Sequence, residues 1–168
     1  MNGLPLDRET VARLYEAHAA LLVGYVCTLV GDRATAQDLV HELFVRLLRG
    51  GVAIAGPPLP YLCRAVRNAA LNDRRARARD VTLDDGISSW LAAPERLGHL
   101  VITVETALGR LPAEQREVIV LRIWGGLTLQ EVSDVVGVPL NTVASRYRYG
   151  AAKLREILQP CGVLGDGQ

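Results

Sequence analysis

A chain of 168 residues can form one compact domain or two small ones joined by a linker. Its 19 basic and 18 acidic residues leave a formal net charge of +1, which excludes a uniformly basic, histone-like chain but not a local basic face. Hydrophobic residues at 49%, aromatics at only 5% and three widely spaced cysteines, Cys27, Cys63 and Cys161, point to an aliphatic core in a reducing compartment and exclude a disulfide scaffold. The longest apolar runs are too short for a transmembrane helix, and Met1 to Arg8 lacks the pattern of a signal peptide. The expectation is a cytoplasmic protein with no membrane insertion.

Taken in chain order, the elements read as helices. Leu6 to Val30 carries apolar residues at three- and four-residue steps, with Asp7 as N-cap and Gly31 as stop. Asp32 caps a second helix from Arg33 to Arg49, ended by Gly50-Gly51. Val52 to Pro60 holds three prolines and a glycine and reads as a loop. A third helix runs from Leu59 to Arg79. Along it Arg64, Arg67, Arg74, Arg75, Arg77 and Arg79 face Asp73 alone, a local excess of five positive charges.

From Asp80 the sign reverses, with five acidic residues against Arg96 up to Glu105. Weak periodicity over Asp80 to Pro94 marks a linker. The expected architecture is all-α: a helical domain over 6–79, an acidic linker over 80–104 and a second helical domain over 105–160. No strand-period segment stands out.

Leu111-Pro112 opens a helix that continues through Val118, Ile119, Leu121 and Trp124 to Gly125-Gly126. Thr128, with Glu131 three residues on, forms a capping box for a short helix to Val136. Gly137-Val138-Pro139 is a turn, and a last helix runs from Asn141 to Leu158 before Pro160 and a frayed tail. A short helix, a glycine turn and a second helix with Asn141, Thr142, Ser145, Arg146, Arg148 and Tyr149 near its start match a DNA-binding helix-turn-helix. The same pattern also fits a bundle with a solvated polar face. The arginines of the third helix suit either a phosphate backbone or the negative end of the helix dipole.

Two blocks resemble regions two and four of the bacterial sigma-70 family of RNA polymerase sigma factors, in its small extracytoplasmic-function (ECF) group. The first is Gly31-Asp32, Ala36 to Phe44, Tyr61-Leu62 and Arg67 to Leu71. The second is Leu111-Pro112, Thr128 to Val132, Val136 to Val138 and Asn141 to Arg146. The resemblance implies a non-enzymatic subunit, without cofactor, that directs promoter recognition, melting and transcription initiation. It implies docking on the clamp coiled coil of the polymerase's largest subunit through Asp38, Leu39, His41, Glu42 and Phe44, and a further contact with the flap. Tyr61, Arg64, Arg67, Asn68, Arg74 and Arg75 would recognise and melt the minus-ten element. Asn141, Thr142, Ser145, Arg146, Arg148 and Tyr149 would read the minus-thirty-five element. An anti-sigma factor is the further partner implied.

The chain departs from the family pattern at several positions. His41 stands where Gln is usual, Gln37 where Glu is usual, Asn72 where Asp is usual, Ala144 where Lys is common and Ser133 where Ala is typical. The loop Val52 to Pro60 has no aromatic residue. Leu39, Phe44, Cys27, Cys63 and Tyr147 also read as core. His18, His41 and His99 show no metal-ligand spacing. The competing readings are a helix-turn-helix regulator that binds duplex DNA without polymerase, and a degenerate sigma-like interaction module.

Overall fold

The computed structural model describes residues 4–50, 52–80 and 98–159. Two aspartates start the first two helices. Asp7 and Asp32 sit in extended backbone, and each carboxylate accepts the amide three residues on, Thr10 N and Thr35 N, both at 2.7 Å. They satisfy donors that a helix N-terminus leaves unpaired, and the bonds hold both carboxyls below their usual range. Helix α1 therefore spans Arg8–Val30 and α2 spans Arg33–Leu48. Gly31 joins them at φ 75°, a left-handed backbone that a side chain would strain.

Helix α3 spans Pro58–Asp80 and begins one residue earlier than expected, with Pro58 in the first turn where its missing N–H costs nothing. Before it, inside the stretch expected to be loop, Ala53–Ile54 pairs antiparallel with Leu4–Pro5, Leu4 opposite Ile54. A two-residue strand is too short to show a period in sequence, and the architecture is helical as expected. Helix α4, Gly98–Gly109, begins within the segment read as linker. The acidic stretch 81–97 and the tail from Pro160 onward, including Cys161, lie outside the described residues.

The second half continues with α5, Ala113–Ile119, α6, Leu129–Val136, and α7, Leu140–Leu158. Arg116 reaches back to cover the carbonyl of Leu111 at 3.1 Å. Between α5 and Gly125 the chain widens into a π-helical turn, Val120–Trp124, where a plain helix was expected. There the Gly125 amide donates to Val120 O at 3.1 Å, and the Leu127 amide to Leu121 O at 3.2 Å. Gly125 permits this turn. A Cβ at that position would lie 2.4 Å from the Leu121 carbonyl oxygen and 3.0 Å from Leu127 Cδ1.

The apolar stripes meet in one continuous core. Leu22, Tyr25 and Val26 of α1 pack with Val40, Phe44 and Leu47 of α2 and with Leu62, Val66 and Ala70 of α3. Val118 and Ile119 of α5 pack with Val132 and Val136 of α6 and with Val143 and Leu154 of α7. The two halves also touch, α3 against α6 and α1 against α5 and the π turn. Cys27 and Cys63 are buried, as expected, and burial pushes the Cys63 thiol up to about 12, so it stays protonated and inert.

Gly125→Ala is expected to destabilise the fold by about 1–3 kcal/mol, because backbone cannot yield to the new methyl. Gly24→Ala, in the middle of α1 with nothing within 4 Å of its added Cβ, is expected to stabilise by about 0.5–1 kcal/mol. Urea unfolding followed by circular dichroism distinguishes the two.

Candidate nucleic-acid interface

The helix-turn-helix is built by short-range chemistry. Thr128 Oγ1 accepts the Glu131 amide at 3.2 Å while Glu131 Oε2 accepts the Thr128 amide at 2.7 Å, the reciprocal capping box expected from sequence. Gly137 turns the chain at φ 74°, its amide donating to Ser133 O at 2.9 Å. Ser133 is buried, and its hydroxyl donates to the Val138 carbonyl at 2.6 Å. A hydroxyl at this packed position thus satisfies a turn carbonyl, which accounts for serine where alanine is typical.

Helix α7 is pressed against α5 at Gly150. A Cβ there would lie 3.1 Å from Ile119 Cγ1 and 3.2 Å from Gln115 Cβ. This close approach leaves the opposite stripe free. Asn141, Arg148 and Tyr149 are exposed, and Ser145 falls between them at helical spacing; Thr142, Ser145 and Arg146 are half-buried. Tyr149 is 59% exposed, with the Arg148 guanidinium 5.0 Å from its ring centroid. The Ser145 hydroxyl is already engaged, donating to Thr142 O at 2.9 Å. Tyr147 packs against the core, as expected.

On α3 the expected residues divide. Arg64, Asn68, Arg74 and Arg75 are exposed, and Tyr61 is half-buried against the core. Arg67 is turned inward. Its Nε donates to Glu117 Oε1 at 2.7 Å and its Nη2 to Oε2 at 3.4 Å. Tyr25 donates its hydroxyl to the same Glu117 Oε1 at 2.8 Å. Glu117 belongs to α5 and is only 7% exposed. Burial works against the charge of Arg67, but the hydrogen bond and charge of Glu117 outweigh it and raise its pKa. Burial, then the Glu117 charge, pushes the Tyr25 phenol well above its ordinary range. Arg77, which had no assigned role, pairs with Asp73 at 2.8 Å and donates to Thr35 Oγ1 at 2.7 Å, tying α3 to the start of α2.

On α2, Asp38, His41 and Glu42 are exposed along one side. Leu39 is half-buried. Phe44 is buried at 3% exposure and meets Tyr15 edge to face, ring centroids 5.0 Å apart. Its ring serves the core and is not offered at the surface. No group of His, Cys, Asp and Glu suited to a metal ion occurs among the described residues.

The sequence matches two family models, sigma-70 region 2 over residues 14–80 and sigma-70 region 4 over residues 107–156. The ECF RNA polymerase sigma factor SigL of Mycobacterium tuberculosis is 32% identical over 158 residues, covering 89% of each chain. The chain belongs to the sigma-70 family, in its ECF group. A second relative, the ECF RNA polymerase sigma factor EcfG of Rhodopseudomonas palustris, is 30% identical over 82% of this chain and 78% of its own. The fold agrees with two solved structures. One is the sigma factor RpoE in complex with the anti-sigma factor NepR from Bartonella quintana, with a TM-score of 0.74, 22% identity and coverage of 90% of this chain and 98% of that one. The other is CnrH in complex with the cytosolic domain of CnrY, with a TM-score of 0.63, 20% identity and coverage of 91% and 90%. As a sigma factor the chain is a non-enzymatic initiation subunit that binds core RNA polymerase and promoter DNA. Among the described residues no helix is long and apolar enough to cross a membrane.

Placement on α2 separates two kinds of residue in this sigma factor. Phe44→Ala is expected to cost about 3–5 kcal/mol of stability, read from urea unfolding. His41→Ala, at an exposed position, is expected to change stability by less than about 0.5 kcal/mol.

Proposed function

We propose that the promoter contacts divide between the two halves, with the minus-ten element taken by α3 and the minus-thirty-five element by α7. The exposed stripe of Asn141, Arg148 and Tyr149, running from the start of α7 to its middle, carries this reading. It faces away from the core, on the second helix of a helix-turn-helix, where base edges and phosphates in a major groove are reached. Thr142, Ser145 and Arg146 flank it. On α3, Arg64, Asn68, Arg74 and Arg75 supply cations and an amide for unpaired strands, and Tyr61 borders them. Arg67 joins them once it is released from Glu117. With no aromatic residue in the loop Val52 to Pro60, stacking rests on Tyr61.

In this reading Asp38, His41 and Glu42 of α2 meet the clamp coiled coil of the polymerase's largest subunit, while Leu39 and Phe44 support the helix from beneath. The C-terminal half meets the flap. The working domains are 6–79 and 105–160, joined by the acidic segment 80–104, and the protein acts in the cytoplasm. RpoE is seen in complex with the anti-sigma factor NepR, and CnrH in complex with the cytosolic domain of CnrY. An anti-sigma factor is accordingly a partner of this chain as well.

Run-off transcription with core polymerase and a promoter-fragment library tests the reading. Defined start sites are expected, and starts no more frequent than with core enzyme alone would overturn it. Arg148→Ala is expected to weaken transcription from selected promoters and to lower the salt slope of promoter binding by about one charge. Association with core polymerase, measured by co-purification, should be unchanged.

A further inference from the structure

A cavity of about 410 Å³ lies beside α1, α4 and the π turn. None of the residues assigned above to promoter DNA or to the clamp lines it. Its volume falls in the range of small-molecule sites, about 300–1,000 Å³. Leu21 of α1, Leu108 of α4 and Val120 and Leu121 of the π turn give it aliphatic walls. Gly24 leaves space on the α1 side, where an added Cβ would meet nothing within 4 Å. Trp124 borders the cavity and is 47% exposed, so its ring is open to a ligand. Widened helical turns are rare and recur at functional sites, and here such a turn forms one wall.

The side-chain oxygens of this wall accept hydrogen bonds and have none to give. Thr28 already donates its hydroxyl to Tyr25 O at 2.7 Å. Tyr25 donates its own to Glu117 at 2.8 Å. Glu105 of α4 is the one charged residue lining the cavity among those described. Its Oε2 is buried and has no hydrogen-bond partner among the described residues. Burial pushes the carboxyl up, against the pull of Arg33. A neutral apolar ligand would desolvate this carboxylate without pairing it, and an anion would be repelled. An ammonium supplies both the donor and the opposite charge, and an aromatic ring at the cavity edge attracts the same charge. We propose that the cavity binds a small apolar molecule bearing a protonated amine, its body against Leu21, Leu108 and Leu121 and its ammonium at Glu105 Oε2.

The probes are naphthylmethylamine, protonated at neutral pH, and naphthalenemethanol, its uncharged counterpart of similar shape. Each is titrated into the intact chain and followed by calorimetry and by the indole N–H resonance of Trp124, assigned with Trp124→Phe. The amine is expected to bind at least about tenfold more tightly than the alcohol and to shift that resonance. Equal affinities, or no binding of the amine, would overturn the proposal. Glu105→Gln keeps the shape and removes the charge. In this variant the amine should fall to the level of the alcohol, whose affinity stays the same. An undiminished preference for the amine would refute the role of Glu105. Gly24→Leu puts a side chain into the cavity and should abolish binding of both probes, whereas retained binding would place them elsewhere and refute the site. If Gly24→Leu loses helix content, Ala20→Leu on the same wall carries that arm. Amine binding that appears only once residues 81–97 are replaced by a glycine–serine chain of equal length would assign the cavity to that segment and overturn the proposal.

Discussion

A carboxylate taken out of water needs partners, and Glu117 finds both of its partners in the other half of the chain. Tyr25 and Arg67 donate to it from α1 and α3, so the charge can stay buried only while the two halves are together. The contact lies beside one apolar core that runs through both halves. The position of one half against the other depends on this polar contact, on the shared core and on the seam between α3 and α6.

The same economy appears within each half. Asp7, Asp32 and the Thr128–Glu131 box fix where helices begin, and Gly31 and Gly137 fix where they turn. These devices act within four residues and leave the outward faces unconstrained. On α7 the outward face is the polar stripe beginning at Asn141; on α2 it is Asp38, His41 and Glu42. Arg77 illustrates the contrast. Tied to Asp73 and Thr35, it braces α3 against α2, and this bracing keeps the neighbouring Arg74 and Arg75 on a fixed surface.

Much of this was legible from residues close together in sequence. The helix starts, the glycine turns, the capping box and the helix-turn-helix all follow from spacings of three or four residues, and the structure places them as expected. Where sequence reading fell short, the cause is distance or averaging. Arg67 and Glu117 are 50 positions apart, and Tyr25 and Glu117 are 92 apart, so periodicity cannot join them. The six arginines of α3 read as one basic end, but the helical period sends Arg67 inward and Arg77 sideways while the others face water. Phe44 sits among residues resembling a docking motif, yet its spacing to Val40 and Leu47 puts it in the core. The π turn depends on what a missing Cβ at Gly125 allows, a contact with Leu121 that only the folded backbone reveals. The near-neutral net charge averaged over these local differences and carried little information about any of them.

Division of the promoter contacts between α3 and α7 is tested most directly by footprinting of the reconstituted holoenzyme on a selected promoter, with Arg64→Ala and Arg148→Ala compared with the parent chain. Weakened protection confined to the minus-ten element for Arg64→Ala and to the minus-thirty-five element for Arg148→Ala is the predicted result. Protection of both elements weakened equally by either variant would contradict the division.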